Sequence, residues 1–575
     1  MKKIIRNPLL YLLPLLVLAG FWAFQKKAII SDITLAMNGV SYAETLPTKA
    51  NIPGNTEFSV FFNFDLKKDA STTYKIIADD CILSIEINGK NFPQERIKNP
   101  CDFTYGSTLN FSEYMQEGLN KFEIRVKNHG GPGGLRFNHD STGLSTVQFK
   151  HILFSILLLI TAAVILLKLK FSATATFLVI LGISIRLIYS SYTDMFDRVY
   201  DLHGHLEYIK IIADESRIPA TGETWSSYHP PLYYLIGALI KKAFPGNYQV
   251  ALVTFAMLIS FVSIAFGVAL LQNLNTRRRF LFLSGLLFVS WPGFVISSTR
   301  VGNDVPAYLG MFICIYYAQK WWENQTAKYM ILASLGAAIG IMLKASGVAV
   351  AGVWVFIWII GTLRTLKLAP VKTIIICLVM ALAAVFASQS RMILAKNVYL
   401  THETGNQALR VNNSLGNFIY FDSKEYLTVP YLNTYDDRGG RQYFLNFAIK
   451  SSLFGEYRVW SSEFGNNLAL LIAFTTLFLL ALSVVGLFAP NNNMFPIILF
   501  FFALFASLVG MKAMYPYSCL QDVRYIMPIL LPLSVFITHG AQKIPYYPLR
   551  VTSYCVIIFF SLLSWIFIAG QAFSR

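Results

Sequence analysis

Long apolar runs alternate with short polar stretches along most of this chain. Runs of roughly 17 to 25 residues recur, and each is long enough to cross a bilayer as a helix. The predicted spans are 8–24, 151–168, 171–191, 248–271, 280–298, 304–321, 328–346, 348–366, 373–392, 467–488, 494–511, 525–541 and 551–570. The pattern therefore predicts a polytopic α-helical membrane protein with about thirteen transmembrane helices.

One polar block, residues 27–148, follows a different pattern. Segments 57–64, 74–78, 82–87 and 121–126 alternate apolar and polar residues as strands do, and turn signals such as Asn88-Gly89, Gly118-Leu-Asn120 and Gly130–Gly134 separate them. A small external β-sandwich is predicted. Segments 78–89 and 118–126 resemble the jelly-roll, galactose-binding-like domains of carbohydrate enzymes. That resemblance implies either sugar binding or a structural cap over an active site, and we favour the cap.

The net charge of +17 does not indicate a nucleic-acid partner, because the basic residues cluster beside apolar runs. Such clusters report orientation under the positive-inside rule. Residues 1–26 are interpreted as an uncleaved anchor with a cytoplasmic N-terminus, and the C-terminus is predicted to lie outside. The segment from His229 to Phe244 is interpreted as an amphipathic helix on the outer surface, since a crossing there would invert every later basic cluster. Loops 192–247 and 393–466 then share the external face.

Six cysteines in a chain of 575 residues do not form a disulfide scaffold. Cys81 and Cys101 are the two in the external block, and a bridge between them would close a loop of about twenty residues. The remaining cysteines have no His or Cys neighbours at zinc-site spacing, and no Gly-rich phosphate loop precedes a helix. A nucleotide-driven cytoplasmic reaction is unsupported.

The external loops carry residues that suit transfer chemistry on a lipid-linked substrate. A carboxylate can deprotonate an acceptor, and cations near the same plane can hold a phosphate leaving group. The acids are Asp194, Asp197 and Asp201, and the cations include Arg300, Lys344 and Arg524. Each residue also has a structural interpretation: Lys344 as a snorkelling lysine, and Asp304 as an N-cap for the helix that starts with Pro306.

The order of short motifs from about residue 171 onward resembles the GT-C superfamily of membrane glycosyltransferases, which includes the protein O-mannosyltransferases and the lipid A aminoarabinose transferases. The motifs are Asp201-x-x-x-His205-x-x-Tyr208, His229-Pro-Pro-Leu-Tyr233-Tyr234, Arg300-x-x-Asn303-Asp304 and Asp522-Val-Arg524-Tyr525-x-x-Pro528. Residues 149–575 are accordingly predicted to form a GT-C-like catalytic domain.

The resemblance implies transfer of a sugar, with inversion, from a polyprenyl-phosphate donor to a glycan, lipid or protein acceptor on the external side. Asp201 becomes the proposed base. His205, Tyr208, His229 and Tyr233 become substrate-binding residues, together with Arg300, Asp304, Lys344 and Arg524, and Arg524 is the proposed phosphate ligand. Many relatives have Asp-Glu at the acidic position, whereas Leu202 follows Asp201 here, so Asp194 and Asp197 compete for the role of base.

Several alternatives stay open at this stage. The first loop contains Asp194-x-x-Asp197 but no Asp-x-Asp, so a reaction without a cofactor is favoured, with a divalent metal as the minor alternative. A transporter or flippase of a sugar or lipid-linked sugar is the main rival function, and a receptor is a weaker one. A bacterial cytoplasmic membrane is the favoured location.

Overall fold

The computed structural model describes residues 29–43, 48–50, 55–66, 72–79, 81–101, 106–129, 133–139, 146–193, 195, 198, 201–224, 226–245, 248–274, 277–394, 409–437, 440–456, 462–488 and 494–573. The chain divides into two compact units, one within Leu15–Ile156 and the other including Leu157–Arg575. The predicted anchor at 8–24 lies outside the described residues.

The first unit is the predicted β-sandwich. Its strands are β1 Ile29–Met37, β2 Val40–Ala43, β3 Thr48–Ala50, β4 Thr56–Leu66, β5 Thr73–Asp79, β6 Cys81–Ile87, β7 Lys90–Asn91, β8 Ser107–Asn110, β9 Gly118–Asn128 and β10 Gly133–His139. One sheet has the order β2-β1-β4-β9-β6-β7, the other β3-β10-β5-β8. Within the described residues, neighbouring strands pair antiparallel.

Alternation along the strands produces the core of this unit. In β4, every second side chain from Phe58 to Leu66 is buried, because successive side chains of a strand point to opposite faces. Phe62 stacks on Phe122 of the neighbouring strand with ring centroids 5.0 Å apart, and Phe137 of the other sheet meets Phe62 edge-on at the same distance. Aromatic side chains from both sheets therefore fill the interior.

Two predicted turns had different outcomes. Asn88 and Gly89 join β6 to β7 with φ of 52° and 76°, the positive values that a tight hairpin needs at both central positions. The predicted turn at Gly118-Leu-Asn120 was wrong, because these residues begin β9 and pair with β4 as far as Leu66↔Gly118. The bend instead precedes Gly118, whose φ is 93°.

Cys81 and Cys101 are joined by a disulfide in the sandwich unit. The bridge ties the first residue of β6 to the chain that follows the short 3₁₀ helix Gln94–Arg96. Among the other cysteines, Cys314 is buried and Cys555 is exposed.

The second unit is helical. Its α-helices are α1 Thr146–Lys168 (which begins ahead of the unit boundary), α2 Ala173–Tyr192, α3 Leu202–Glu215, α4 Leu232–Ala243, α5 Tyr248–Leu274, α6 Arg278–Ser290, α7 Pro292–Ser297, α8 Asp304–Asn324, α9 Ala327–Leu343, α10 Gly347–Thr365, α11 Val371–Leu394, α12 Leu415–Ile419, α13 Ser423–Thr428, α14 Phe444–Phe454, α15 Glu463–Leu487, α16 Phe495–Met514, α17 Leu530–Lys543 and α18 Tyr547–Phe573. Two 3₁₀ segments, Ser518–Gln521 and Val523–Ile529, precede α17.

Eight stretches of the described chain are long and apolar enough to cross a membrane. They are 173–191, 248–274, 347–365, 371–391, 463–487, 495–514, 518–543 and 547–571. This agrees with the predicted polytopic class, and the count of thirteen spans stays a prediction. The predicted span 280–298 is not one helix: it breaks at Trp291, because the residue before Pro292 adopts an extended conformation.

The helices of this unit run back and forth, so their ends gather into two groups. At one end, the Gln272 side chain accepts from the Ser172 amide, Asn273 donates to Glu323, and Gln325 donates to the Gly361 carbonyl. We call this the basic end, because its connections and helix termini carry twelve cations and, among the described residues, one acid, Glu323. The cations are Lys168, Lys170, Arg277, Arg278, Arg279, Lys320, Lys328, Arg364, Lys367, Lys372, Lys543 and Arg550. The opposite end carries charges of both signs.

The disulfide generates the first prediction. Replacing both Cys81 and Cys101 by Ser should destabilise the sandwich by about 3 kcal/mol, because the bridge closes a loop of about twenty residues that would otherwise be free in the unfolded chain. Proteolysis of the intact protein in increasing urea, read from cleavage within the sandwich, measures the change. The matched control is Cys555→Ser, at an exposed free cysteine. Equal urea midpoints for the two variants would contradict the prediction.

Candidate active site

Asp201 and Arg524 are 323 positions apart in sequence and form an ion pair at the end opposite the basic end. Arg524 Nη2 lies 3.2 Å from Asp201 Oδ2. Asp201 precedes the first residue of α3, but its side chain makes no capping hydrogen bond to that helix. The carboxylate is therefore directed to the arginine instead of to the helix backbone.

The Arg524 guanidinium is buried and faces two further carboxylates. Arg524 Nη2 lies 3.3 Å from Glu456 Oε1, and Arg524 Nε lies 3.4 Å from Asp522 Oδ2. Asp522 also caps the 3₁₀ turn, since its Oδ1 accepts from the Arg524 amide at 2.9 Å. Arg524 Nη2 further donates to the Tyr525 hydroxyl at 3.1 Å. The positive charge of the Arg524 guanidinium therefore lies beside three carboxyl groups, those of Asp201, Glu456 and Asp522.

Glu456 reaches this position because α14 is held on both sides. The Trp291 indole donates to the Ser452 carbonyl at 2.7 Å, and the Ser451 hydroxyl accepts from the Val523 amide at 3.1 Å. Gly455 then turns the chain with φ 74° and ψ −162°, a conformation suited to glycine, and Glu456 follows directly. The helix and its glycine terminus therefore aim an acidic side chain at Arg524.

The pKa values of Asp201 and Glu456 are shifted in opposite directions. Burial raises the pKa of Glu456 well above its ordinary value, despite the opposing charge of Arg524. Burial also acts to raise the pKa of Asp201, but the nearby charges, with Arg524 the largest contributor, leave that pKa below its ordinary value. Asp201 is therefore ionised at neutral pH, and Glu456 keeps its proton to a higher pH than Asp201 does.

A second ion pair, Lys344–Asp304, lies beside the first. Lys344 Nζ contacts Asp304 Oδ1, and both side chains are nearly buried. Lys344 Nζ also lies 4.3 Å from the ring centroid of Tyr525, whose hydroxyl contacts Arg524. Tyr525 therefore joins the two pairs into one cluster, in which the charge of Lys344 also acts on Asp201.

Close packing of α8 and α9 produces the Lys344–Asp304 pair. A Cβ atom on Gly310 would lie 2.6 Å from the Gly340 amide nitrogen, so only glycine permits this approach of the two backbones. Asp304 begins α8 and Lys344 follows the last residue of α9, which puts them at the same end. The interpretation of Asp304 as an N-cap was wrong, because Asn303 occupies that position and the Asp304 carboxylate faces Lys344. Lys344 is likewise paired in the interior and does not snorkel to water.

Aromatic and histidine side chains of α3, of α4 and of the turn before α4 lie near Asp201. His205 Nδ1 and the Tyr234 hydroxyl share a hydrogen bond of 2.9 Å, and the His205 ring lies 5.9 Å from His229 and 6.2 Å from Tyr233. Burial lowers the pKa of His205 to about 4, so the imidazole is neutral at physiological pH. A neutral imidazole suits hydrogen bonding to a substrate hydroxyl better than it suits holding a phosphate.

Arg391, at the end of α11, connects this aromatic group to the following loop. Its guanidinium donates to the Tyr208 hydroxyl at 2.7 Å, to the Ser227 carbonyl at 3.2 Å and to the Pro219 carbonyl. Tyr208 in turn stacks on Tyr234 with ring centroids 3.8 Å apart. Arg391 therefore links Tyr208 in α3 to Pro219 and Ser227 in the segment between α3 and α4.

The structure brings most of the sequence-predicted site residues together. Asp201 with Arg524, Asp304 with Lys344, and His205 with Tyr208, His229 and Tyr233 occupy one end of the helical unit. Arg300 lies buried in the turn that precedes α8. Asp194 and Asp197 lie outside the described residues, so their competition with Asp201 stays open. The roles of all these residues stay predictions.

Sequence reasoning missed Glu456 and Tyr525 as members of the site and did not weigh Asp522 by itself. A signal for Glu456 existed: an acid directly after a glycine at the end of the apolar segment 444–454 is unusual in a membrane protein. Among the described residues, no three His, Cys, Asp or Glu side chains are arranged to hold a metal ion. Metal dependence of the reaction stays a prediction.

Comparison with known proteins bears on the family. Residues 228–389 match the sequence model of the family described as dolichyl-phosphate-mannose-protein mannosyltransferase. The resemblance to the membrane glycosyltransferases is thereby confirmed over that segment, which contains His229, Tyr233, Arg300, Asp304 and Lys344. Asp201 and Arg524 fall outside the matched residues.

Among solved structures, the crystal structure of ArnT from Cupriavidus metallidurans bound to undecaprenyl phosphate is similar to this chain. The sequence identity is 14%, the TM-score is 0.34, and the match covers 68% of this chain and 88% of that chain. No curated protein matches the chain significantly.

The buried Lys344–Asp304 pair generates the second prediction. Lys344→Met alone should destabilise the helical unit by about 3 to 5 kcal/mol, because it leaves the Asp304 charge uncompensated in the interior. The double variant Lys344→Met with Asp304→Leu should recover much of that loss, since both charges are then removed. Thermal unfolding in detergent reports the change.

Lys241→Met is the matched control, because Lys241 pairs with Asp214 at the protein surface and should contribute only about 1 kcal/mol or less. A double variant less stable than Lys344→Met would show that the two residues do not act as a pair.

Proposed function

We propose that this protein transfers a sugar from a polyprenyl-phosphate-linked donor to an acceptor on the external face of a membrane. The observation that carries the proposal is the cluster of Asp201, Arg524, Lys344 and Asp304. It combines an ionised carboxylate with two cations in a poorly solvated site, within a chain that matches a mannosyltransferase family over residues 228–389. Those are the groups that such a transfer requires.

In the proposed reaction, an acceptor oxygen or nitrogen attacks the anomeric carbon of the donor sugar. The bond from that carbon to the phosphate oxygen breaks, and its electron pair leaves with the phosphate. Asp201 accepts the proton of the acceptor. Because the phosphate changes from a singly charged diester to a monoester with greater negative charge, Arg524 and Lys344 stabilise the charge that develops as it leaves. Attack opposite the leaving phosphate inverts the anomeric carbon.

The neighbouring aromatic and imidazole groups suit the sugar part of a substrate. His205 is neutral, and its side chain and that of Tyr234 carry hydrogen-bonding atoms near Asp201. Tyr228 and His229 are only partly buried, and their rings lie 4.1 Å apart. Hydroxyl groups of a sugar would find hydrogen-bond partners on the polar atoms of these side chains, and its apolar face would find the rings.

The distribution of charge supports an external location for the site. The basic end carries twelve cations and, among the described residues, one acid, the asymmetry typical of cytoplasmic loops. The cluster around Arg524 is at the opposite end. The disulfide supports the same topology for the sandwich unit, since disulfides persist in oxidising compartments. A bacterial cytoplasmic membrane with an external active site fits both observations.

The proposal favours an enzyme over a transporter. Transporters commonly bind their cargo near the bilayer midplane, on interrupted helices that face each other. Asp201, Asp304 and Lys344 instead lie at helix termini. The polyprenyl chain and the surrounding lipids are the expected apolar partners, and a glycan, lipid or protein remains open as the acceptor class.

The third prediction tests the base. Asp201→Asn keeps the size of the side chain but removes its capacity to accept a proton, so turnover should fall by roughly 100-fold or more while donor binding persists. The measurement uses the purified full-length protein in nanodiscs, a panel of labelled polyprenyl-phosphate sugars, and membrane extracts as the acceptor source. Asp437→Asn is the matched control, because that carboxylate pairs with Arg441 and is 57% exposed.

Transfer from none of the donors by the unmodified protein would count against the proposed function. Near-normal turnover of Asp201→Asn, with loss of turnover in Asp194→Asn or Asp197→Asn, would assign the base to one of the earlier acids instead.

The fourth prediction concerns topology. Cysteines introduced at Lys90 in the sandwich and at Ser423 in the loop 393–466 should react with a membrane-impermeant maleimide in intact cells, because both are expected to face outside. A cysteine introduced at Leu368, at the basic end, should react only after the membrane is permeabilised. Labelling of the unmodified chain supplies the background from its native cysteines. Labelling at Lys90 and Ser423 from opposite sides would overturn the topology.

A further inference from the structure

The three carboxylates around Arg524 differ in how accessible they are. The side chains of Asp522 and Glu456 are 0% and 6% exposed, whereas the side chain of Asp201 is 32% exposed. A ligand that approaches Arg524 from solvent therefore meets it on the side that Asp201 occupies. Glu456 shares Arg524 Nη2 with Asp201 but is buried in the protein interior, as is Asp522 at Nε.

Asp522 and Glu456 are held in place, and Asp201 is not held by comparable contacts. Asp522 Oδ1 accepts a hydrogen bond from the Arg524 amide, and Asp522 Oδ2 lies 3.4 Å from Arg524 Nε as an ion-pair partner. Glu456 follows the α14 helix, which is fixed by hydrogen bonds from Trp291 and Val523. The Asp201 carboxylate makes no capping hydrogen bond, and it accepts a hydrogen bond from Arg524 Nη2 at 3.2 Å. It can leave Arg524 without breaking a helix cap.

The same ion pair makes Asp201 a weak base in the ligand-free protein. Burial alone would raise the pKa of Asp201, but the nearby charges, of which that of Arg524 has the largest effect, together keep that pKa below its ordinary value. General-base catalysis is most efficient when the pKa of the base lies near the working pH. While Arg524 remains paired with it, Asp201 is therefore poorly suited to accept a proton from an acceptor hydroxyl.

We propose that the donor phosphate displaces Asp201 from Arg524, and that this exchange converts Asp201 into the active base. The inference rests on the proposed function and deepens it: Asp201 and the donor phosphate compete for one face of one guanidinium. Because one negative charge replaces another at Arg524, the buried cation stays compensated throughout. The released carboxylate loses its closest cation and becomes more basic. The order of events is then set, with the donor bound before the acceptor is activated.

The exchange ties the basicity of Asp201 to the presence of the donor. In the proposed sequence, Asp201 gains basicity only when the phosphate has taken its place on Arg524. After transfer, the phosphate departs and Asp201 returns to Arg524 with its proton released to solvent.

The fifth prediction follows from the competition. Asp201→Asn removes the competing charge, so it should bind a polyprenyl monophosphate about tenfold more tightly than the unmodified protein, although it is inactive in transfer. A residue that merely positions the donor would show weaker binding on substitution. The probe is a short-chain polyprenyl monophosphate, titrated into full-length protein in nanodiscs by calorimetry, and Asp437→Asn serves as the control with unchanged affinity.

A second measurement keeps the inference testable if Asp201→Asn is unstable. In the unmodified protein, saturation with the methyl ester of the polyprenyl monophosphate, a diester that does not titrate near neutral pH, should raise the pKa of the Asp201 carboxyl, so binding should take up a fraction of a proton. Calorimetry in buffers of different ionisation enthalpy measures that uptake, which should disappear in Asp201→Asn if it folds and should be present in Asp437→Asn.

The outcomes separate this inference from the proposed function. Absence of polyprenyl-monophosphate binding to the unmodified protein would count against both. Binding together with transfer, but with equal or weaker affinity in Asp201→Asn or without proton uptake, would overturn the exchange and leave the transferase proposal standing. Tighter binding in Asp201→Asn together with proton uptake on binding to the unmodified protein, or that uptake by itself where the variant does not fold, would support the exchange.

Discussion

The buried positive charge of Arg524 is the constraint on which the rest of the site depends. An arginine guanidinium is always charged, and taking it out of water is costly unless anionic partners surround it. Here the partners come from three distant parts of the chain, at Asp201, Glu456 and Asp522. The segment between α2 and α3, the end of α14 and the 3₁₀ turn before α17 must therefore meet at one point.

Three deviations from regular helix structure make that meeting possible. At the break between Trp291 and Pro292, the Trp291 indole donates a hydrogen bond to α14. The positive φ of Gly455 turns the chain toward Arg524. The 3₁₀ segment Val523–Ile529 directs Arg524 and Tyr525 into the cluster. The Arg186 guanidinium compensates for the first of these, since it donates to the Val289 carbonyl at 3.1 Å where the helix ends. Regular helices make up most of the helical unit, and residues of the candidate site lie on irregular backbone at one end.

The two ion pairs contribute different properties to the site. Lys344 has one carboxylate partner, Asp304, whereas Arg524 has three. Burial raises the pKa of Glu456, which favours its neutral form and so limits the excess of negative charge around Arg524. Tyr525 separates the two cations and contacts both, through its ring face toward Lys344 and its hydroxyl toward Arg524. The result is a compact site in which cations lie close together without direct repulsive contact.

The sequence by itself determined the class of the protein and much of its secondary structure, because hydrophobic periodicity is a local property. The alternation in β4 and β9, the paired cysteines of the sandwich and the long apolar helices could all be predicted. The break at Trp291 was missed although Pro292 signalled it. Asp201, Lys344 and Arg524 could be named as charged residues at span ends, but not as partners of particular residues.

Tertiary structure alone decided those partners. Asp201 and Arg524 are separated by 323 positions, and their contact depends on the spatial order of the helices, which no local pattern encodes. The approach of α8 to α9 over Gly310, and the direction of Glu456 beyond Gly455, likewise depend on which backbones pack together. A charge pattern shows which residues need partners in a membrane protein; only packing shows which residues supply them.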